Sequence, residues 1–352
     1  MNFAYKFAAV RGMQANRVYY IAMVPLKMLP NLFPNDTEYV PPEFRAQRQL
    51  NEGRIPVIRK YITDNRNSYV FSALAASIDG KFEFHSNKEF PDTGVLEISM
   101  DSRFLINDVQ HRKAAIVSAL QEDDSLKDET ISVVFYEDIG LSRSQQIFTD
   151  LNKHAVKTSN SLSELYDSRD PIAIATRQVI SSVDFLEKYT DKEKDNLGKY
   201  SSNLFTLNVF YRTNKRILRS RPVNEQAIEF LCQFWKNVAS NIEPWNELEK
   251  KELSKKELRE NYIVTQGVVI QALGVIGDYM YSSDNHSFAD LDKLRDIDWK
   301  RNASCWRMRV IRADGRIIAN DKAVILTSNY IKMVLGFEMS QEEKYKEAEM
   351  NY

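Results

Sequence analysis

The chain has 352 residues, of which 43% are hydrophobic and 28% charged, a composition typical of globular proteins that excludes global disorder. Lys and Arg total 48 against 49 Asp and Glu, so the net charge of -1 gives no whole-chain indication of nucleic-acid binding, and any DNA-binding surface has to be a local patch. Because no apolar run of about 18 residues and no secretory signal is found, we expect a cytoplasmic protein without a membrane partner.

Short runs rich in aromatic and β-branched residues predict strands throughout the first half of the chain. They cover residues 3–10, 17–24, 69–78, 81–84, 95–100, 104–107 and 131–136. Gln14-Ala15-Asn16 and Asp79-Gly80 each separate two of these runs and predict hairpin turns. Apolar spacing predicts helical pieces over 42–62, broken at Pro56, and a helix over 110–121.

Long amphipathic helices are predicted in the second half, where apolar residues recur three or four positions apart. They cover 143–151, 170–187, 204–218, 224–239 and 256–281, and only 306–310 alternates like a strand. The change of pattern near residue 165 predicts two domains, 1–165 and 166–352. The fold class is therefore α+β, a mixed N-terminal α/β domain followed by a mainly helical domain.

Metal centres and disulfides are not expected, because Cys232 and Cys305 lie far apart without His or Cys neighbours at ligand spacing. For the same reason, we expect neither a zinc site nor an iron–sulfur cluster. The sequence also contains no P-loop, HExxH, GxSxG or Rossmann glycine motif.

The segment over residues 104–116, FLINDVQHRKAAI, is the most informative part of the sequence. A β-run ends in Asn107-Asp108, and a helix then opens with Gln110, His111 and Arg112 near its first turn. Backbone N–H groups and the positive end of the helix dipole favour anions at such a position. The alternative is structural: Asp108 caps the helix, His111 makes one surface hydrogen bond and Arg112 pairs with a carboxylate.

This segment resembles the DGQHR signature, with Asp108, Gln110, His111 and Arg112 matching and Val109 in the place of glycine. A second stretch, LSRSQQIFTDLNKHAVKTSNSL over 141–162, resembles the element that follows in the DndB family of bacterial DNA phosphorothioation systems. Further resemblance covers the first strands, 45–61, 77–80 and 166–170, about two-thirds of the chain in all.

The same region is similar to the ParB/sulfiredoxin fold, whose GxxRxxA motif binds nucleotide phosphates. Val109, Arg112 and Ala115 have this spacing, but the glycine is missing, and a Cβ hinders close approach of the backbone to a phosphate. The resemblance implies a nucleotide site, holding ATP or another nucleoside triphosphate with Mg²⁺. In the second stretch, Asn152 and Lys153 could join that site or could simply end their helix.

Two basic clusters are candidates for DNA contact. The first is a run without an acidic residue among its members, on one predicted helix face: Arg212, Lys215, Arg216, Arg219 and Arg221. The second surrounds Trp299 and Trp306 and consists of Lys300, Arg301, Arg307, Arg309, Arg312 and Arg316. Charge runs are usually solvated surface, and we expect the first cluster, rather than the second, to contact DNA.

The resemblance to the DndB family implies a negative transcription regulator that forms a homo-oligomer and binds double-stranded DNA at the promoter of its own phosphorothioation gene cluster. Other proteins of that system would be its further partners. Two alternatives stay open. One is a Mg²⁺-dependent nucleoside triphosphatase with Asp108 and His111 as catalytic residues, and the other is a non-catalytic scaffold of the modification complex.

Overall fold

The computed structural model describes residues 3–34, 50–108, 110–137, 140–153, 158–198, 200–283 and 287–350. The chain forms two compact units, Met1–Val156 and Lys157–Tyr352, so the division precedes the change of sequence pattern near residue 165. Within the described residues, helices accompany a seven-stranded mixed sheet. The fold is therefore α+β, which confirms the predicted fold class.

The first unit contains the sheet and a small set of helices. Its strands are β1 (Ala4–Gln14), β2 (Arg17–Pro25), β3 (Leu74–Asp79), β4 (Phe82–Ser86), β5 (Thr93–Ser99), β6 (Arg103–Asp108) and β7 (Thr130–Glu137). Its α-helices among the described residues are α1 (Leu29–Leu32), α2 (Ile55–Asp64), α3 (Gln110–Glu122) and α4 (Leu141–Lys153). The sheet order is β4-β5-β1-β2-β7-β3-β6, with β3 and β7 parallel and the other neighbours antiparallel.

The β1–β2 hairpin turns at Ala15 and Asn16, as the sequence predicts. Their φ angles are 49° and 59°. Positive φ at both central residues defines the type I′ turn, whose twist matches that of the flanking strands. Alternate residues of the hairpin, such as Phe7 and Val24, are buried in the core of the first unit.

Gly80 connects β3 to β4 without forming the hairpin predicted at Asp79-Gly80, and that prediction is wrong. β3 pairs with β6 and β7, whereas β4 pairs with β5. The strands β3 and β4 instead form one side of a long bent hairpin, whose other side is β5 and β6. Asp79 pairs with Arg103 before the bend, and Phe82 pairs with Ile98 after it. Glycine is needed here because φ is 146° and a Cβ would lie 2.4 Å from Ser102 Oγ.

The bend curls the sheet around its buried face. Tyr20 of β2 has its ring centroid 5.3 Å from that of Phe84 on β4, although these strands are not neighbours. Phe104 of β6 likewise contacts Tyr5 of β1, with centroids 6.1 Å apart. Rings from distant strands therefore meet inside the curl and form much of its core, since aromatic side chains bury large apolar areas.

Helices α2 and α3 pack against each other beside this sheet. Pro56 lies in the first turn of α2, where its missing N–H group removes no helical hydrogen bond. A 3₁₀ helix over Glu52–Arg54 ends just before α2 begins at Ile55, so two helical pieces meet beside Pro56, as the sequence predicts. Residues 35–49, which include the start of the predicted helical stretch, lie outside the described residues.

The second unit is mainly helical. Its α-helices among the described residues are α5 (Asn160–Tyr166), α6 (Pro171–Ser182), α7 (Asp184–Tyr189), α8 (Leu207–Leu218), α9 (Glu225–Asn241), α10 (Glu243–Glu249), α11 (Lys255–Asn261), α12 (Gly267–Tyr281), α13 (Asp321–Leu335) and α14 (Gln341–Met350). Two short parallel strands, β8 (Thr190–Asp191) and β9 (Phe205–Thr206), follow α7 in the sequence and pair with each other.

Helix α12 occupies the core of this unit and packs on α8, α9 and α13. Gly274 allows the close approach of α8, since a Cβ there would lie 2.7 Å from Thr213 Cγ2. Trp235 and Trp245 are fully buried in the same core. Because α12 is surrounded by other helices, its sequence is hydrophobic on nearly every side.

Three predicted elements of this half differ from the structure. The helix predicted over 170–187 is divided into α6 and α7 at Val183, whose backbone is extended. The helix predicted over 256–281 is divided into α11 and α12, because Tyr262 is extended and bridges to Lys300. The strand predicted over 306–310 is a compact turn, in which the N–H groups of Arg309, Val310 and Ile311 all bond to the Trp306 carbonyl.

Replacing Gly80 by Ala should destabilise the first unit by about 1–3 kcal/mol, the usual effect of a sparsely populated backbone conformation. Faster amide exchange in residues 74–108 would report the loss. All 4 Trp residues lie in the second unit, so Trp fluorescence should report unchanged unfolding there. Gly198→Ala is the control, because its Cβ would have no heavy atom within 4 Å. Wild-type exchange in Gly80→Ala would show that the bend tolerates a side chain.

Candidate functional site

The DGQHR-like segment lies at a strand-to-helix turn, as the sequence predicts. Strand β6 ends at Asp108, and α3 begins at Gln110. Val109 and the Asp108 side chain lie outside the part of the chain that the structure describes. The first turn of α3 therefore presents Gln110, His111 and Arg112 at one edge of the sheet, while their roles in anion binding stay a prediction.

Arg112 is held in place by neutral groups of the segment that precedes β3. Its Nη1 atom donates to the Ser72 carbonyl at 2.7 Å and to Ser72 Oγ at 2.9 Å. The guanidinium also lies over the ring of Phe71, 5.3 Å from the centroid. These contacts orient the planar fork of donors that a phosphate or carboxylate can bind with two parallel hydrogen bonds.

His111 fastens the segment before α2 to the first turn of α3. Its Nε2 atom accepts the backbone N–H of Asn51 at 2.8 Å. In this arrangement Nε2 serves as a hydrogen-bond acceptor for the backbone.

The two candidate residues of the second stretch, Asn152 and Lys153, lie at the end of α4. Asn152 donates from Nδ2 to the Phe148 carbonyl one turn earlier, at 2.9 Å, and Lys153 is exposed in the last turn. Helix α4 follows β7 and packs on β6. His154 and Lys157 lie outside the described residues.

The first basic cluster has acidic partners, contrary to what its sequence indicates. Arg219 and Arg221 both pair with Asp278 of α12, at 2.6 Å and 2.9 Å, and the Asp278 side chain is only 10% exposed. Arg216 pairs with Asp321 at 3.2 Å. The interpretation of this face as a row of unpaired cations is therefore wrong, because the neutralising carboxylates come from distant parts of the sequence.

Arg212 and Lys215 remain exposed on α8. Lys215 lies over the ring of Tyr211, 5.8 Å from the centroid. Arg212 lines a cavity of about 640 Å³ together with Arg259 and the first residues of α12. Of the cations predicted for DNA contact, these two keep an exposed charge without a direct ion pair among the described contacts.

The second basic cluster is divided by the fold. Arg309 is buried and pairs with Glu347 of α14. In contrast, Lys300, Arg301, Arg307 and Arg312 line an open cavity of about 790 Å³. We call these four residues and the cavity between them the basic groove. Asn302 and Ser304 also line the basic groove and add an amide and a hydroxyl group.

The basic groove carries excess positive charge. Among the described contacts, Lys300, Arg307 and Arg312 form no ion pair, and Arg301 donates to the carbonyl of Gly315 at 2.8 Å. Glu257 and Glu260 of α11 also line the cavity. The Glu257 carboxylate accepts the hydroxyl and backbone N–H of Ser254 and is thereby held in a helix-capping box. An open site of this kind suits the phosphate groups of a polyanion.

Comparison with known protein families identifies the chain. The family described as DndB, DNA-sulfur modification-associated, matches residues 7–338. The chain belongs to the DndB family. No curated protein and no solved structure matches it. The link between this DndB-family chain and DNA sulfur modification therefore rests on the family.

The DndB-family chain also contains a carboxyl cluster that sequence reasoning missed. Glu164 Oε1 accepts the Asn208 amide at 2.6 Å, and its Oε2 is buried without a hydrogen-bond partner. Burial raises the pKa of Glu164 to about 7, the Asn208 hydrogen bond opposes the rise, and the nearby Asp195 and Asp170 add to it. Only the distant pairing of α5 with α8 creates this environment, so no local pattern in the sequence indicates it.

The described ranges contain neither a cluster of metal ligands nor a membrane-spanning helix. No three His, Cys, Asp or Glu side chains there come together as a metal site. None of the helices described is both long enough and apolar enough to cross a bilayer.

Replacing Glu164 by Gln should reduce the loss of stability that accompanies rising pH. The folded state favours the protonated carboxyl, because its pKa rises from 4.5 to about 7. The associated stability is present below pH 4.5 and is lost as the pH rises through about 7. Melting temperatures measured on both sides of that pH should differ less in Glu164→Gln than in the wild type.

The control for this measurement is Glu229→Gln, which changes an exposed carboxylate of α9 and should keep the wild-type pH dependence. The same pH dependence in Glu164→Gln and the wild type would show that Glu164 does not titrate in this range.

Proposed function

We propose that this DndB-family chain is a DNA-binding negative regulator of a bacterial phosphorothioation gene cluster, located in the cytoplasm. The family's association with DNA sulfur modification supports this role. The modification chemistry belongs to partner proteins in this proposal, because the sequence has no P-loop and no cysteine cluster for sulfur transfer or an iron–sulfur centre.

The observation that carries the proposal is the basic groove. Its cations come from one segment of the second unit and have no carboxylate partner among the described contacts, whereas Arg216, Arg219 and Arg221 do. A cation already paired with a buried carboxylate has less to gain from a phosphate than an unpaired one. We therefore place the DNA contact at the basic groove and keep Arg212 and Lys215 of α8 as the competing surface.

Sequence recognition needs more than these contacts, since phosphate contacts position a protein on DNA but do not read bases. Asn302 lies in the groove, and its amide can donate to and accept from a base edge. A homo-oligomer would add a second groove and hence a second half-site, in the way that dimeric repressors read palindromic operators. We propose this arrangement for the promoter of the chain's own gene cluster.

A nucleotide site at the start of α3 is a second proposal, favoured by the way Arg112 is held. Ser72 and Phe71 orient the guanidinium, and the positive end of the helix dipole at the first turn favours an anion. ATP or another nucleoside triphosphate with Mg²⁺ would bind there through its phosphates. Asp108, Gln110, His111, Asn152 and Lys153 would complete the site, and hydrolysis would make the chain a triphosphatase.

Replacing both Arg307 and Arg312 by Ala should weaken binding to the promoter duplex and to a scrambled duplex alike. The logarithmic salt dependence should flatten by about 0.9 for each phosphate that the variant no longer neutralises. Fluorescence anisotropy titrations over a series of salt concentrations measure both quantities. Arg212→Ala/Lys215→Ala removes the same charge from α8 and should leave affinity close to that of the wild type.

The opposite pattern, with weaker binding only in the α8 variant, would move the DNA-binding surface to the one predicted from the sequence. Wild-type protein that binds neither duplex at low salt would instead favour the scaffold. In that case the chain would be expected to bind other phosphorothioation proteins without DNA.

Replacing Arg112 by Ala should weaken nucleotide binding by about 1.5–3 kcal/mol, the range for a hydrogen bond to a charged group. Calorimetry with ATP, CTP and GTP in the presence of Mg²⁺ measures the binding, and phosphate release measures hydrolysis. Arg103→Ala is the control, because Arg103 is exposed at the opposite end of β6. If wild-type protein gives no heat with any of the three at millimolar concentration, the motif has only a structural role.

A further inference from the structure

Helix α14 is held on the second unit by charged groups. None of its ten residues, Gln341–Met350, is fully buried. Its Glu343 and Glu347 carboxylates instead pair with cations that are nearly inaccessible, Lys332 and Arg309. Most helices in globular proteins are held in place by an apolar face. A helix attached mainly through ion pairs therefore requires a different explanation.

The cations beneath α14 are deeply placed. The Arg309 side chain is 8% exposed, and its guanidinium makes a two-pronged contact with the Glu347 carboxylate. The Lys332 side chain is 5% exposed, and its Nζ lies 2.7 Å from Glu343 Oε1. Such buried pairs contribute little net stability, because desolvating both charges offsets most of their attraction.

Neutral groups outside α14 also hold both cations in place. Arg309 Nη1 donates to the carbonyl of Leu326 on α13 at 2.9 Å, and the guanidinium lies over the ring of Tyr330, 5.7 Å from its centroid. Lys332 Nζ lies over the Tyr279 ring of α12, 4.6 Å from its centroid. These supports would remain if α14 moved away, so Arg309 and Lys332 would stay oriented as a pair of cations.

One of the covered cations, Arg309, is continuous in sequence with the basic groove. It lies between Arg307 and Arg312, in the turn whose N–H groups bond to the Trp306 carbonyl. Uncovering Arg309 would therefore add positive charge to the segment that already lines the groove, and uncovering Lys332 of α13 would expose a second cation held by the same helix. A carboxylate resembles a phosphate in charge and in its hydrogen-bonding oxygens, so Glu343 and Glu347 occupy the places that phosphate oxygens would take.

We propose that α14 is an acidic cover over a second cationic surface, formed by Arg309 and Lys332, and that DNA phosphates replace Glu343 and Glu347 there when α14 moves away. This inference rests on the proposed DNA-binding function, whose affinity the cover would limit. In the covered state only the basic groove binds phosphates, and in the uncovered state both surfaces do.

The test is a charge-matched pair of variants of the full chain. Glu343→Gln/Glu347→Gln removes the two carboxylates that face the covered cations. Glu338→Gln/Glu342→Gln removes the same charge from two exposed side chains, one just before α14 and one, Glu342, that pairs within α14 with Lys346. Amide exchange in 341–350 measures the attachment of α14 without any DNA, and titrations of a duplex over a salt series measure binding.

We expect Glu343→Gln/Glu347→Gln to exchange faster in α14 and to bind DNA several-fold more tightly. Its logarithmic salt dependence should steepen by about 0.9 for each cation that binds an additional phosphate. The control variant should keep wild-type exchange and increase in affinity much less. Adding Arg309→Gln to the first variant should remove most of the increase, because the increase depends on the uncovered guanidinium.

The remaining outcomes overturn one or both ideas. If α14 exchanges faster but affinity does not rise above that of the control, the cover is refuted while the basic groove stands. The cover is equally refuted if exchange in α14 is unchanged, because the ion pairs then do not hold it. If only the uncovered variant binds DNA, the cover stands and the groove is refuted, and no binding by any variant refutes both.

Discussion

Every cation that a helical domain brings toward its interior needs a counter-charge, because an unpaired buried charge is strongly destabilising. A buried carboxylate has the same requirement. In the second unit the buried carboxylate of Asp278 pairs with Arg219 and Arg221, and the buried guanidinium of Arg309 pairs with Glu347. The cations of the basic groove have no such partner among the described contacts, and this contrast underlies the proposed division between structural and DNA-binding residues.

The first unit depends on a different constraint, the bend at Gly80. Because this residue passes close to Ser102, one long hairpin can pair with both ends of the sheet. The curl that results places β6 beside β3 and so brings the first turn of α3 next to the segment that carries Ser72. The position of the Arg112 guanidinium therefore depends on the pairing of β6 with β3 as well as on its own helix.

Features that depend on neighbouring residues could be predicted from the sequence, and features that depend on distant ones could not. The turn at Ala15 and Asn16 and the passage from β6 to α3 follow from local backbone preferences and helix-start patterns. Asp79-Gly80 has the composition of a hairpin turn, but the partners of β3 are chosen elsewhere. The pairing of Arg219 with Asp278 joins residues 59 positions apart and leaves no local pattern.

The carboxylates that pair with cations of the second unit would also affect how a DndB-family regulator binds its own promoter in preference to other DNA. Groove cations alone attract any duplex, since phosphate contacts are independent of sequence and weaken with salt. Adding Arg309 and Lys332 would raise affinity for all duplexes by the same means and would not improve discrimination. An acidic helix that keeps these two cations covered would therefore lower affinity for every duplex alike, and in the proposed complex the ratio of specific to nonspecific binding would depend on base contacts, such as those open to Asn302.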